Sequence, residues 1–231
     1  QFPMSVFVST NAIDKNYESM MTWSQLREMA PLVDVFNHTV NHPHLVNVSQ
    51  DILENEIHFA QERISEELEV VDRYFAYPYG EFDSETYSFL ESNQYIAFGQ
   101  QSGVVSQNSD FLNIPRFSMS GPYAEMESFI LKVNTVAMPL QSIKPKSMII
   151  SESNTPVLDL FFLRPLTKHE RNNFACFVSG QNKAKLEWSG LQSVRISAQD
   201  SLGVGRSRFN CTMPYQERGR YYWFSKLWLR L

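Results

Sequence analysis

The chain has 231 residues and a formal net charge of -5, with 43% hydrophobic and 13% aromatic residues. This apolar content is enough for one large packed core or two modest ones. The acidic balance argues against a nucleic-acid partner, because few basic groups are available to displace counterions from phosphates. The longest apolar runs, such as residues 157–163, are much shorter than the roughly 20 residues that span a bilayer. No transmembrane helix is therefore expected.

The first part of the sequence alternates strand-like and helix-like segments, which is the βαβα order of a parallel sheet or barrel. The longest helix is predicted to begin at the N-cap Ser49, because apolar residues recur after it with helical spacing. The predicted strands are 3–9, 33–39, 74–78, 95–99 and 113–119, and the predicted helices are 22–32, 49 onward, 83–91 and 123–136.

Beyond residue 140 the pattern changes to short alternating runs that are rich in aromatic residues and separated by polar turns, and no further helix is predicted. Such a series is typical of an antiparallel sandwich. The sequence predicts an α/β domain over 1–143 and an all-β domain over 144–231, with the boundary between 140 and 148. The runs are 156–163, 174–180, 184–188, 193–198, 206–213 and 220–231.

Cys176 and Cys211 are the only cysteines, and both lie in predicted strands of the second domain. One disulfide between strands, formed in an oxidising compartment, is the favoured interpretation. Its Cα atoms are expected ~5–6 Å apart. Two buried free thiols are the alternative.

Three of the five histidines lie in the segment NHTVNHPH at 37–44. His38 and His42 follow a predicted strand, at the edge of a parallel sheet where α/β barrels build their sites. Imidazoles four residues apart can bind one metal ion when the residues between them make a helical turn. Ordinary surface or core histidines are the alternative. His44 is expected in a supporting or solvent-exposed role.

The segment HTVNHPHL, followed by a helix, another strand and FAYPYG, resembles the polysaccharide deacetylase family of metal-dependent carbohydrate de-N-acetylases. His38, Thr39 and His42 match its His-[Ser/Thr]-x-x-His metal motif, and residues 76–80 match part of its Arg-Pro-Pro-[Tyr/Phe]-Gly motif. The Tyr-Pro-Tyr-Gly variant is similar to the poly-N-acetylglucosamine deacetylase branch. FPMSVFVST at 2–10 resembles a family strand that reads Phe-Pro-Ala-Thr-Phe-Phe-Val. The resemblance covers roughly residues 1–140 and implies an incomplete (β/α) barrel before the sandwich.

The resemblance assigns chemical roles to the matched residues. It implies that His38 and His42 bind a divalent metal, with zinc as the first choice, and that Thr39 braces the metal loop by hydrogen bonding. It also implies that the backbone N–H of Tyr79 stabilises the oxyanion that develops during amide hydrolysis.

Further candidates surround these residues. Tyr77, Pro78 and Asn37 are candidate substrate contacts, with aromatic lining or turn packing as the alternative role of Tyr77. Ala76 stands where most members have an arginine that orients the catalytic aspartate. Arg116 is a candidate to supply that guanidinium from another strand, with a surface ion pair as its alternative.

Two motifs of the family are missing from these 231 residues. One is the Leu-x-His motif, which supplies a histidine general acid. The other is Thr-Phe-Asp-Asp-Gly, which supplies the catalytic base and the third metal ligand and which in the family comes just before the segment that opens this chain. We therefore expect a fragment with an open edge at its first strand and little deacetylase activity of its own.

The leading hypothesis is a metal-dependent deacetylase that acts on an N-acetylated polysaccharide or oligosaccharide outside the cytoplasm. One alternative is a non-catalytic carbohydrate-binding protein on a deacetylase scaffold, which the missing aspartates favour and the retained His38 and His42 disfavour. A structural metal site in a surface-assembly protein is a third hypothesis. The aromatic residues of the second domain are expected in its core rather than on a sugar-binding surface.

Overall fold

The computed structural model describes residues 3–30, 32–150 and 155–231. Phe2 and Pro31, which belong to two of the predicted segments, lie outside these ranges. The chain forms two compact units, one of residues 1–99 and 110–114 and the other of residues 100–109 and 115–231. This division reflects which residues pack together in the structure. The boundary at 140–148 is placed where the helical pattern of the sequence ends, and it stays a prediction. In the part of the chain that is described, no helix is long and apolar enough to cross a membrane.

The first unit contains a four-stranded parallel sheet in the order β1-β2-β3-β4. Val8 pairs with Asn37, and Asn37 pairs with Phe75, so the carboxyl ends of three strands align and the segments after them meet. The strands are β1 (Met4–Val8), β2 (Val33–Asn37), β3 (Tyr74–Ala76) and β4 (Ile96–Phe98). The α-helices of this unit are α1 (Thr10–Asp14), α2 (Trp23–Met29), α3 (Gln50–Leu53), α4 (Phe59–Leu68) and α5 (Ser84–Ser92).

The longest helical stretch begins at the predicted cap, because the Ser49 side chain accepts the Ile52 N–H at 3.4 Å. A π-helical turn over Glu54–His58 joins α3 to α4. Ile64 packs with Val33 in one buried cluster beneath the sheet. An extra residue in a helix rotates the side chains that follow it, and such turns are frequent at functional sites.

The second unit contains two four-stranded sheets, in the orders β6-β7-β10-β9 and β5-β12-β11-β8. All pairs are antiparallel except β5 with β12. One buried cluster includes Leu160, Ile196, Phe209 and Trp228, so the two sheets share a core. The sandwich and the barrel stay predictions. The strands are β5 (Val136–Ala137), β6 (Leu140–Lys144), β7 (Val157–Phe162), β8 (Ala175–Val178), β9 (Lys185–Ser189), β10 (Ser193–Ser197), β11 (Gly205–Pro214) and β12 (Tyr221–Arg230).

Two predicted features of secondary structure are wrong. Residues 113–119 do not form a strand, and only an isolated bridge joins Ile114 to Phe98. Pro115 has no N–H to donate to a sheet ladder, which explains why the pairing stops there. Helices also continue beyond residue 140, since a capping box at Thr167 starts α7 (Lys168–Asn173). The predicted helix near 123–136 is shorter, as α6 (Met126–Val133), after a 3₁₀ turn at Gly121–Tyr123.

The predicted disulfide between Cys176 and Cys211 is present. The two residues are direct partners on the adjacent antiparallel strands β8 and β11, and both are buried. Their Cα atoms are 3.9 Å apart, closer than the expected separation. The alternative of two free thiols is wrong.

Candidate metal centre

His38 follows directly on β2 and is fixed on several sides. Its backbone N–H donates to the Val8 carbonyl at 2.9 Å, and its own carbonyl accepts the Ser9 hydroxyl at 2.8 Å. The ring Nδ1 lies 2.7 Å from the Ala76 carbonyl oxygen. Because a carbonyl can only accept, Nδ1 carries the proton in the neutral ring and Nε2 keeps its lone pair. A carbonyl partner on the other ring nitrogen is the usual arrangement around a metal-binding histidine.

His42 meets His38 across a tight loop. The two ring centroids are 4.7 Å apart and the rings are nearly perpendicular. Thr39 and His42 both have left-handed backbone angles, with φ of 71° and 59°. A β-branched residue seldom adopts this conformation, because it costs on the order of 1–3 kcal/mol and persists only where the surroundings enforce it.

A chain of buried hydrogen bonds provides that enforcement. The Thr39 hydroxyl accepts the His42 N–H at 2.8 Å, and the Thr39 N–H donates to Asn37 Oδ1 at 2.9 Å. Asn37 Nδ2 in turn donates to the Ile57 carbonyl at 2.8 Å. Thr39 and Asn37 are fully buried. The Thr39 hydroxyl thus makes a hydrogen bond within the histidine loop, and Asn37 connects this loop to Ile57. The role of Thr39 in bracing a metal site stays a prediction.

The segment FAYPYG places Tyr79 against the histidines. Pro78–Gly80 form a 3₁₀ turn in which Tyr79 has a left-handed backbone with φ of 59°. The Tyr79 ring meets the His42 ring edge-on at 4.6 Å and stacks on the His44 ring at 4.1 Å. The two motifs, which are far apart in sequence, therefore form one cluster of rings.

Polar contacts tie the two motif loops together on the far side of this cluster. His44 Nδ1 lies 2.6 Å from the buried Glu81 carboxylate, while most of the His44 side chain is exposed. The Asn47 N–H donates to Asp83 Oδ2 at 2.7 Å. Asp83 also caps α5 by accepting the Thr86 N–H. His44 thus has a supporting contact in addition to its exposure.

Tyr77 and Pro78 are placed below the surface. Tyr77 is 1% exposed, its hydroxyl donates to the Leu112 carbonyl at 2.8 Å, and its ring stacks on Phe82. Burial holds the pKa of the Tyr77 phenol well above its usual value. Pro78 is also buried. This placement favours the packing role for Tyr77, and substrate contact by either residue stays a prediction.

Arg116 belongs to the second unit, where its side chain is exposed and its backbone N–H donates to the Gln101 carbonyl at 3.0 Å. Its role as a substitute guanidinium stays a prediction.

A cavity of about 470 Å³ opens beside the histidine loop. His38 and His42 lie at its edge, and most of its wall is apolar. Other lining residues include Phe7, Ile13, Tyr17, Met20, Met21 and Leu26. The paired imidazoles are thus accessible from a space large enough for a small ligand.

The donor set fits part of a zinc site. Imidazole nitrogen is a favoured zinc ligand, and zinc usually takes three or four protein ligands. Within residues 3–30, 32–150 and 155–231, no group of three His, Cys, Asp or Glu side chains is arranged to hold a metal ion. Metal binding by His38 and His42 stays a prediction.

Sequence reasoning missed Glu56, which contacts the histidine loop from the π-helical turn. Glu56 is 8% exposed although it is charged. A signal was available, because Glu56 lies three residues after Leu53 and four before Ala60, in the middle of the apolar face of the predicted helix. A carboxylate at such a position needs buried partners.

A comparison with known protein families concerns the segment that carries both motifs. Residues 1–97 match the polysaccharide deacetylase family. The resemblance drawn from the two motifs is thereby confirmed for the segment that carries them. The match ends before the second unit's sheets begin, so it says nothing about their role.

Solved deacetylase structures are similar to the chain over about half its length. The Streptococcus pyogenes deacetylase PplD in complex with acetate has a TM-score of 0.51 and 22% identity, covering 56% of this chain and 58% of that one. IcaB from Ammonifex degensii has a TM-score of 0.45 and 24% identity, covering 52% and 58%. The BpsB deacetylase domain from Bordetella bronchiseptica has a TM-score of 0.43 and 20% identity, covering 49% and 60%.

The chain thus spans less than two thirds of each of these structures. At this level of identity the likeness to PplD shows a shared fold. No curated protein sequence matches the chain. The poly-N-acetylglucosamine branch stays a prediction.

Proposed function

We propose that the protein is a metal-dependent deacetylase that removes N-acetyl groups from an N-acetylglucosamine-containing polysaccharide. The observation that carries the proposal is the contact between the His38 and His42 rings, with the His38 ring oriented by the Ala76 carbonyl, inside the segment that matches the deacetylase family. A buried disulfide in the second unit supports a location outside the cytoplasm.

Four residues of the chain would have distinct roles in this reaction. His38 and His42 would hold a divalent cation, with zinc as the first choice. When bound, the cation supplies Lewis-acid polarisation of a carbonyl and activation of water at neutral pH. The Tyr79 backbone N–H would donate to the acetamide oxygen as negative charge develops there. Thr39 would keep His42 in place through its hydroxyl.

The sequence contains no Thr-Phe-Asp-Asp-Gly motif, so neither of its aspartates is available to take the proton of the attacking water. We therefore propose that these 231 residues alone release acetate slowly. Activity would rise in a polypeptide that also carries an Asp-Asp pair next to β1.

The test is acetate release from an N-acetylglucosamine oligomer in the presence of zinc. It compares the 231-residue chain with the same chain extended by a segment that carries an Asp-Asp pair next to β1, each as wild type, His42→Ala and His58→Ala. His58 is a helix residue paired with Glu62 and serves as the matched control. We expect zinc-dependent release that His42→Ala abolishes and His58→Ala preserves. Equal release by wild type and His42→Ala, or none from the extended wild type, would refute the proposal.

A second candidate is a carbohydrate-binding protein without catalysis. It is favoured by the lack of a third metal-ligand side chain near His38 and His42 among the described residues. This candidate predicts that the same oligomer binds, in a calorimetric titration, equally well with and without zinc, and that no acetate appears.

A further inference from the structure

We propose that Glu56 is a positioning residue that holds the loop between the two histidines. The proposal deepens the proposed function, on which its relevance to metal binding rests. The Glu56 carboxylate accepts the Asn41 backbone N–H at 2.8 Å with Oε2 and the Asn41 side-chain amide at 2.7 Å with Oε1. Its main-chain carbonyl accepts the Val40 N–H at 3.0 Å. Glu56 therefore binds both residues that lie between Thr39 and His42.

The opposite side of the loop is bound by the start of α1. The Asn11 N–H donates to the Val40 carbonyl at 3.1 Å, and Asn11 Nδ2 donates to Asn41 Oδ1 at 2.6 Å. The Thr10 N–H donates to the Thr39 carbonyl at 3.2 Å. The loop is thus clamped between a helix start and the π-helical turn. Glu56 is the one charged member of this clamp.

The clamp requires a carboxylate at position 56 because two donors face it. A carboxylate has acceptor oxygens on both arms, whereas a carboxamide has one acceptor and one donor. Glutamine in place of Glu56 would therefore point an NH₂ group at one of the Asn41 donors. Turning the Asn41 amide around would relieve that clash, but the Asn11 amide would then have to turn as well to keep its hydrogen bond with Asn41, so the whole series of amides would be reversed.

This hydrogen-bond pattern suggests its own compensating change. In the double variant Glu56→Gln with Asn41→Asp, the new amide can accept the backbone N–H of residue 41 and donate to the new carboxylate. That carboxylate can still accept from Asn11. The net charge is unchanged, and each hydrogen bond of the wild type has a counterpart. Only in the bond between the side chains of residues 41 and 56 have the donor and the acceptor changed places. Asn41→Asp alone instead sets two carboxylates against each other.

The experiment measures amide hydrogen exchange of a peptide covering residues 39–42 in the metal-free protein, and zinc affinity by competition with a chelator. The variants are Glu56→Gln, Asn41→Asp, the double variant and the control Glu54→Gln, which removes a charge from an exposed residue two positions away. We expect each of the first two to speed exchange of the loop about tenfold and to weaken zinc binding about tenfold, by analogy with other groups that orient metal ligands. The double variant should restore slow exchange, and the control should match wild type.

Each outcome decides between the alternatives. Loop exchange in Glu56→Gln equal to that in Glu54→Gln would overturn the inference, and so would faster exchange spread equally over α5 and β4, since that indicates general destabilisation. If Glu56→Gln does not fold, the comparison of Asn41→Asp with the double variant still tests whether donors and acceptors must match between positions 41 and 56. Asn41 is exposed, so its substitution alone should leave the protein folded. Wild type that binds no zinc but shows the exchange pattern would refute the metal part of the proposed function and leave the role of Glu56 intact.

Discussion

The Thr39 hydroxyl accepts the His42 backbone N–H at 2.8 Å, and so connects two members of the histidine motif within one turn of chain. Both residues have positive φ, and Thr39 is fully buried. The hydroxyl thus compensates for an unfavourable backbone conformation by supplying the acceptor that the His42 amide would otherwise lack.

We expect Thr39→Val, which keeps the shape and removes the acceptor, to weaken zinc binding about tenfold. Thr39→Ser keeps the hydroxyl and should stay within about twofold of wild type. Chelator competition measures both affinities, and a thermal melt establishes that each variant is folded. Equal zinc affinities for the valine and serine variants would show that the hydroxyl does not support the site.

His42→Ala should lose the zinc that the wild type carries, because one of its two imidazole ligands is gone. His58→Ala should keep it. Elemental analysis of the three purified proteins after equal exposure to zinc measures the content directly. In the metal-loaded wild type, X-ray absorption should give nitrogen–zinc distances near ~2.1 Å. Near-zero metal in the wild type would count against the site.

The denatured, unreduced protein should contain no titratable thiol, because Cys176 and Cys211 are bonded. Replacing both with alanine should lower the free energy of unfolding by about 3–4 kcal/mol, the loss expected for a loop of intermediate length. Urea denaturation of the two proteins measures the difference. Two thiols in the titration would contradict the structure.

Glu170 should stabilise the protein in a pH-dependent way. Hydrogen bonds from Arg164 lower the pKa of the Glu170 carboxyl from 4.5 to about 2 in the folded state. A carboxyl group whose pKa is lower in the folded than in the unfolded state stabilises the folded protein fully at pH values above its unfolded-state pKa. This stabilisation is lost progressively as the pH falls through the folded-state pKa. Glu170→Gln should therefore cost about 1–2 kcal/mol at pH 7, a value reduced because Arg164 is 38% exposed.

This difference between wild type and Glu170→Gln should shrink below pH ~4.5 and vanish only below pH ~2, where the carboxyl is protonated in both states. Denaturation midpoints at a series of pH values measure it. Glu127→Gln, at an exposed helix position, provides the control. A difference that stays constant down to pH 2 would mean that the Arg164 contact does not depend on the charge of Glu170.

Tyr77→Phe should lower stability by about 1 kcal/mol, since the Leu112 carbonyl loses a buried donor. Zinc affinity should not change, because the Tyr77 hydroxyl points to that carbonyl and away from solvent. Tyr221→Phe changes an exposed ring in the second unit and should be neutral. Denaturation and chelator competition on the same samples separate the two effects. A loss of substrate affinity without a loss of stability would instead favour Tyr77 as a substrate contact.

Much of the parallel sheet was predictable because its signals are local. Short apolar runs and the Ser49 cap each act over a few residues, and both reappear in the structure. The strand expected over 113–119 failed for a reason that is also local, because Pro115 interrupts the donor ladder. The helix α7 was missed inside a strand-rich region, although Thr167 and Glu170 form a capping box.

The candidate site was predictable only in its motif residues. His38, Thr39 and His42 stand at a recognisable spacing, and their contact was expected. The supports come from distant parts of the chain, since Glu56 is positioned by a π-helical turn and Ala76 acts through its backbone carbonyl. A contact made by a main-chain carbonyl does not depend on the residue type, so the sequence gives no sign of it. The chemistry of the loop was therefore visible in the sequence, whereas the means of holding it was not.

The Cys176–Cys211 bond has a consequence for the strand that carries Cys176. β8 is the last strand in the order β5-β12-β11-β8, and residues 182–184 cover part of its outer edge, since the Val178 N–H donates to the Asn182 carbonyl and the Cys176 carbonyl accepts the Ala184 N–H. Slipping β8 by a single position would turn its apolar side chains outward, but the covalent link fastens it to β11 at a fixed pair of residues. The bond therefore fixes the register of β8 and keeps the strand attached to β11 even when the hydrogen bonds between the two strands open.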